Sequence, residues 1–163
     1  MSFYYQTFES PIGALHIITD DEKLWVLGYD SNIKVLKGKF PDLVKKENAV
    51  IISVRKQLKE YFAGKRQEFE VAVAFNGTDF QKQTWKALSS IPYGKTVSYQ
   101  EQATKIRNSS AVRAVGRTNG LNPISIIVPC HRVIAKSGAL TGYAGGLDAK
   151  KYLLELEQKV LGR

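Results

Sequence analysis

Apolar and polar positions divide the chain into two halves with different periodicity. Residues 2–8, 14–19 and 24–29 form short runs rich in aromatic and β-branched residues. Ser10-Pro11 with Gly13, and then Asp20-Asp21, separate them. Such runs between turn residues predict strands, and their close succession predicts an antiparallel meander. The period then changes. Residues 49–62 place Ile51, Ile52, Val54, Leu58, Tyr61 and Phe62 on an approximate helical stripe that Gly64 ends. Residues 71–75 are a short apolar run that predicts one more strand.

Asn76-Gly77-Thr78 is the natural seam, giving an N-terminal α/β domain over 1–76 and a second domain over 77–163. Thr78-Asp79-Phe80-Gln81 has the spacing of a capping box and predicts a helix over 79–90. Pro92-Tyr93-Gly94 breaks the chain, and Ser98-Tyr99-Gln100-Glu101 opens a second helix to about Ile106. After Asn108-Ser109-Ser110, residues 111–119 predict a third helix ended by Gly120. Residues 124–128 read as a buried strand leading into Pro129-Cys130-His131-Arg132-Val133-Ile134. Gly138, Gly142, Gly145 and Gly146 mark a loop, and Asp148 is placed to cap a last helix to about Val160. Two short helices joined by a turn fit a helix-turn-helix, whose second helix would carry Arg113 and Arg117 among small Ala111, Ala114 and Gly116. A plain αα-hairpin has the same pattern.

Composition narrows the partners. Of 163 residues, 44% are apolar and 24% charged, as in an ordinary globular chain. No apolar run approaches the roughly 18 residues of a membrane span. Residues 1–6 lack the features of a signal peptide, so a cytoplasmic or nucleoid location is expected. The net charge is +9, and it is uneven. Residues 1–76 hold 11 Lys and Arg against 10 Asp and Glu, whereas residues 77–163 hold 13 against 5. Between Phe80 and Leu140 the only acidic residue is Glu101. The second half is thus the one suited to nucleic-acid phosphates. One cysteine and two histidines exclude an intramolecular disulfide and any cysteine-rich zinc site. His16, in a strand pattern, reads as structural.

A lone cysteine is most often a small buried hydrophobe. Cys130, between Pro129 and His131, has a neighbour that could activate it. Thiolate is the nucleophilic form, and an ordinary thiol with a pKa near ~8.5 supplies little at neutral pH. In an extended segment adjacent side chains face opposite ways, so a turn or a bridging water is needed for His131 to act. On residue types alone, a structural Cys-His pair is the commoner case.

The run Pro129-Cys130-His131-Arg132-Val133 resembles the active-site signature of the O6-alkylguanine-DNA alkyltransferases. Phe80-Gln81, Trp85, the run from Ile91 to Tyr99, Arg113-Ala114-Val115-Gly116, Asn122-Pro123, Gly142-Tyr143 and Gly145-Gly146-Leu147 are similar to that family in the same order. The likeness is dense over roughly residues 77–160; before that it rests on the Ser-Pro-Ile-Gly turn and the predicted elements.

The resemblance implies a ribonuclease-H-like antiparallel sheet with a helix, followed by a winged-helix-like domain with a helix-turn-helix. It implies direct reversal of alkylation damage in double-stranded DNA, approached from the minor groove with the alkylguanine flipped out. O4-alkylthymine is a second candidate substrate. Cys130 would accept the alkyl group once and irreversibly, with no cofactor, no membrane and no obligatory protein partner. His131 would be the base acting through a water, Glu157 the residue orienting it, and Asn122 the hinge. Tyr99 would protonate the leaving base. The Ala144 backbone N–H would contact O6, with Tyr143 and Gly145 beside it in the binding set. Carbonyls of Cys130 and Val133 would receive the exocyclic amine. Arg113 would fill the gap in the duplex, from a helix kept slim by Ala114 and Gly116.

Two positions depart from the family pattern. Ser125 stands where some relatives carry proline in the pocket wall, and Ala144 where many carry a hydroxyl residue. Three rival readings compete. A lesion-binding relative would lack Cys130. A cysteine hydrolase would need an oxyanion hole for which no motif exists. A transcription factor would leave residues 129–133 without a purpose.

Overall fold

The computed structural model describes every residue, Met1–Arg163. The chain divides into two compact units, residues 1–75 and 76–163.

The first unit is a three-stranded antiparallel sheet, β1 (Tyr4–Ser10), β2 (Gly13–Thr19) and β3 (Leu24–Tyr29), in sequential order. Tyr4 pairs with Thr19 and Ser10 with Gly13, so the register closes on a tight turn in which Gly13 takes a φ of 105°. Helix α1 (Ile33–Lys37) is a short element the periodicity does not reveal. Helix α2 (Ala49–Phe62) packs on β1 and β2. The Asn48 side chain caps it, accepting from the Ile51 N–H at 2.9 Å. Its buried stripe is Ile51, Val54, Leu58 and Tyr61, and Leu15, Ile17 and Leu27 of the sheet are likewise fully buried. Ile52 faces outward at 55% exposure, one position off that stripe. Residues 71–75 make only one bridge, Val73 to Leu24, and form no strand. His16 is structural: its ring lies between the Tyr5 hydroxyl at 2.7 Å and Asp30 at 2.6 Å.

The second unit holds helices α3 (Asp79–Leu88), α4 (Tyr99–Lys105), α5 (Val112–Gly120) and α6 (Leu147–Val160). Both capping boxes form, Thr78 with Gln81 and Ser98 with Glu101. Helices α3, α4 and α5 pack together around Ala103, Ile106 and Val115. Polar bonds fix their arrangement. The Gln102 and Asn119 amides bond reciprocally at 2.9 and 2.7 Å, and the Trp85 indole donates to the Thr118 carbonyl at 2.8 Å. Two short strands, β4 (Val97–Ser98) and β5 (Val133–Ile134), pair in parallel and bring the segment after Cys130 beside the start of α4.

The expected strand at 124–128 does not form. Asn122 replaces a neighbouring strand: its amide donates to the Val128 carbonyl at 2.8 Å and its oxygen accepts from the Ile124 N–H at 3.0 Å. The run is therefore buried as a series of turns. Asp148 lies in the first turn of α6 but does not cap it; Gly146, with a φ of 90°, occupies the cap position.

Candidate active site

Cys130 lies in a 3-10 turn, Cys130–Arg132, rather than in extended chain. The approach to that turn is strained. Ile126 is buried with a φ of 71°, a left-handed conformation that a β-branched residue adopts at a cost of about 1–3 kcal/mol. Buried neighbours and the Asn122 bonds hold it there. The Cys130 N–H donates to the Val128 carbonyl at 2.9 Å, completing a tight path from Ile126 to the sulfur.

Cys130, His131 and Arg132 are all buried in this turn. The His131 Nε2 lies 2.7 Å from the Glu157 Oε2. Arg132 grips the same carboxylate with two nitrogens, Nε at 2.9 Å and Nη2 at 3.0 Å, and its Nη1 donates to the Ile91 carbonyl at 2.8 Å. The Gly94 N–H adds a fourth bond to Glu157 at 3.0 Å. Gly94 has to be glycine: its φ is 75°, and a Cβ there would meet the Leu161 Cδ1 at 2.1 Å. That close approach lets α6 dock on the Pro92–Gly94 bend.

Electrostatics follow from this packing. Burial alone would raise the Glu157 carboxyl, but the bonds from His131 and Arg132 outweigh it and hold the group well below the usual carboxylate range. Burial pushes His131 down, against the pull of Glu157. His131 is therefore neutral near pH 7, with the Nε2 hydrogen assigned toward Glu157. Its Nδ1, buried and without a protein hydrogen-bond partner, is then the basic nitrogen. Burial also pushes the Cys130 thiol up, opposed by a hydrogen bond from Asn122 and by the Lys150 cation.

Lys150 is fully buried, and its ammonium donates to the Val133 carbonyl at 2.7 Å and the Thr141 carbonyl at 2.9 Å. It thereby ties the nucleophile turn to the glycine-rich loop. Thr141 in turn places its hydroxyl 2.6 Å from that of Tyr99. Tyr99 and Thr141 line an open cavity of about 610 Å³ with Arg113, Gly116, Tyr143 and Ala144. Arg113 and Arg117 are exposed along its α5 wall.

Two family models match this chain. Residues 79–159 match the DNA-binding domain of 6-O-methylguanine DNA methyltransferase, and residues 3–75 match its ribonuclease-like domain.

The chain belongs to the 6-O-methylguanine DNA methyltransferase family.

Known members resemble it along nearly their whole length. The methylated-DNA–protein-cysteine methyltransferase of Methanosarcina acetivorans is 48% identical over 154 residues, 94% of this chain and 97% of that protein. The crystal structure of the Mycobacterium tuberculosis O6-methylguanine methyltransferase superposes with a TM-score of 0.84 at 44% identity, covering 96% of this chain and 93% of the other. That of Mycobacterium tuberculosis OGT in complex with DNA gives 0.85 at 43% identity, covering 96% and 94%. The small α/β architecture, with an antiparallel sheet before a helical DNA-binding domain, is that of the methyltransferase family.

Within this member of the methyltransferase family, the structure gathers the nominated residues into two groups. Cys130, His131, Asn122, Val133 and Glu157 form a buried layer. Tyr99, Arg113, Gly116, Tyr143 and Ala144 line the cavity, whereas Ala114 and Gly145 are not on its wall. The Val133 carbonyl already accepts from Lys150, which leaves it one further lone pair. Sequence reasoning missed Arg132, Lys150 and Thr141. A signal existed for Lys150, which shares the buried stripe of α6 with Leu153 and Glu157 where an apolar residue belongs. Thr141 carries no such signal. No group of three or more His, Cys, Asp and Glu side chains is placed to hold a metal ion, and no helix is long and apolar enough to cross a membrane.

Proposed function

We propose that this protein repairs O6-alkylated guanine in double-stranded DNA by moving the alkyl group onto Cys130 in one irreversible turnover. One observation carries the reading. The chain's single thiol adjoins a neutral, carboxylate-oriented His131 whose Nδ1 is unpartnered. The names of the curated relatives support the substrate class.

In this reading the duplex meets the basic second unit from the minor groove. Helices α4 and α5 act as a helix-turn-helix, and α5 lies close because Ala114 and Gly116 are small. The damaged base leaves the stack, since O6 is out of reach within it, and Arg113 fills the gap. The base enters the cavity beside Tyr99, where the Ala144 N–H meets O6, flanked by Tyr143 and Gly145, and the Cys130 and Val133 carbonyls take the amine.

His131 removes the thiol proton through a bridging water, Glu157 stabilises the charge that develops on the imidazole, and Asn122 steadies the sulfur. The thiolate attacks the alkyl carbon. A carbon–sulfur bond forms as the carbon–O6 bond breaks, and its electron pair passes to guanine. Tyr99 gives guanine a proton and regains one from solvent; the proton released by His131 balances it. A thioether does not revert to a thiol, so each molecule acts once. The alkyl donor is the DNA itself, so the reaction uses no methyl-donor cofactor and no partner protein. The cytoplasm, on nucleoid DNA, is the expected location, and O4-alkylthymine is a second candidate substrate. Residues 77–163 carry DNA binding and the acceptor, and residues 1–76, of structural or unknown role, supply none of the residues named in this reaction.

Mass spectrometry of tryptic peptides after incubation with an O6-methylguanine duplex tests this. The Cys130 peptide gains one methylene and the lesion returns to guanine, and Cys130→Ala binds DNA without repairing it. An unchanged Cys130 peptide, or repair by the alanine variant, overturns the proposal.

A further inference from the structure

We infer that Thr141 is a positioning residue for departure of the base: its hydroxyl holds the Tyr99 hydroxyl in the direction from which guanine is protonated. The inference rests on the transferase reading above and adds a residue to it.

Tyr99 begins α4, and its ring lies against Gly116, where a Cβ would approach the ring carbons to 3.7 Å. That contact sets the plane of the ring and leaves the hydroxyl direction free. The Thr141 Oγ1, at 2.6 Å, fixes it. Both residues line the same cavity. Thr141 lies half-buried in a glycine-rich loop, between Leu140 and an exposed Gly142, and it is anchored. Its carbonyl accepts from the buried Lys150 ammonium at 2.9 Å, and the same ammonium holds the Val133 carbonyl at 2.7 Å, directly after the Cys130 turn. The hydroxyl that aims Tyr99 is therefore referenced to the segment bearing the sulfur.

A threonine hydroxyl both accepts and donates. When a base occupies the cavity, Thr141 donates to the phenol oxygen while the phenol hydrogen points at the purine. As that hydrogen moves to the purine, the Thr141 bond becomes charge-assisted and strengthens where negative charge develops. Valine at 141 keeps the shape and removes this bond.

The test compares duplexes carrying O6-methylguanine or its 8-aza analogue, whose heterocycle departs as a weaker base and needs protonation less. Single-turnover rates come from the mass of the intact protein. Thr141→Val is expected to slow methylguanine transfer ~10- to 100-fold, the range for a misplaced reacting group, and to slow the 8-aza substrate less than about threefold. Thr141→Ser restores both. Alkylation of Cys130 by iodoacetamide, which releases no base, is unchanged in the valine variant. Equal slowing on both duplexes, a parallel loss of iodoacetamide reactivity, or failure of serine to restore the rate overturns the inference. If the unsubstituted protein transfers from neither duplex, the transferase reading itself fails, and this inference with it.

Discussion

Glu157 is the residue whose replacement the structure prices most directly. Its carboxylate accepts four hydrogen bonds, three of them from the side chains of His131 and Arg132, and none of the three residues reaches solvent appreciably. Glu157→Gln keeps the volume but turns two acceptor positions into donors facing donors. Losing two hydrogen bonds to a charged group, at roughly 1.5–3 kcal/mol each, costs about 3–6 kcal/mol. Removing one partner of a buried ion pair costs about 3–5 kcal/mol, in agreement. Taking about 4 kcal/mol, and roughly 2–4 °C per kcal/mol for a chain of this size, Tm falls by about 8–16 °C. Acid dependence supplies an internal control. The folded-state pKa of Glu157 is depressed, so its contribution is complete above the unfolded value, about 4.3, and is lost as pH falls below it. His131 is also depressed by burial, so folding disfavours its protonation and stability declines as pH falls below about 6.5. Urea unfolding at a series of pH values, with peptide-resolved hydrogen exchange to assign the transition to residues 76–163, should show the wild-type and Gln variant converging below about pH 4. A difference under about 0.5 kcal/mol at pH 7, or one that stays constant into acid, would refute the buried-network account.

Two further substitutions probe the reaction. For Lys150→Met, loss of the cation that opposes burial should raise the Cys130 thiol further, so iodoacetamide reacts more slowly at pH 7 and the pH–rate profile moves upward; an unmoved profile would show that Lys150 serves the backbone alone. For Arg113→Ala, repair should slow about tenfold or more on duplex DNA and little on a free O6-alkylguanine base, since its side chain is exposed on the α5 wall where it can enter the duplex; equal slowing on both would count against that role.

The elements legible in the sequence were those fixed by local chemistry. The capping boxes at Thr78 and Ser98 need only residues three apart, and both formed. Strands β2 and β3 are apolar runs between turn residues, and they fell where expected. The failures share a cause. Residues 124–128 look like a strand because they are apolar, but Asn122 supplies the bonds a neighbouring strand would have given. Strand alternation would set Cys130 and His131 on opposite faces, but both lie in a turn. The partnership of Glu157 with His131 spans 26 residues, and that of Glu157 with Gly94 spans 63, so no local pattern announces either. Only the family resemblance points to Glu157. Lys150 stood on an apolar stripe where it broke the pattern, the kind of inconsistency that marks a functional position.

The reciprocal amide bonds between Gln102 and Asn119 have a mechanical consequence. They clamp the middle of α4 to the last turn of α5 in a buried contact, where two bonds resist shear better than apolar packing alone. The two helices therefore behave as one lever. Tyr99 sits at the start of one arm, and Arg113 and Gly116 lie on the other. Force applied to α5 by a bound polyanion is transmitted to Tyr99 as a rigid displacement instead of being absorbed by slippage between the helices. In the proposed reaction, the α5 wall that would grip the duplex and the Tyr99 hydroxyl that would meet the base therefore keep their spacing as DNA docks.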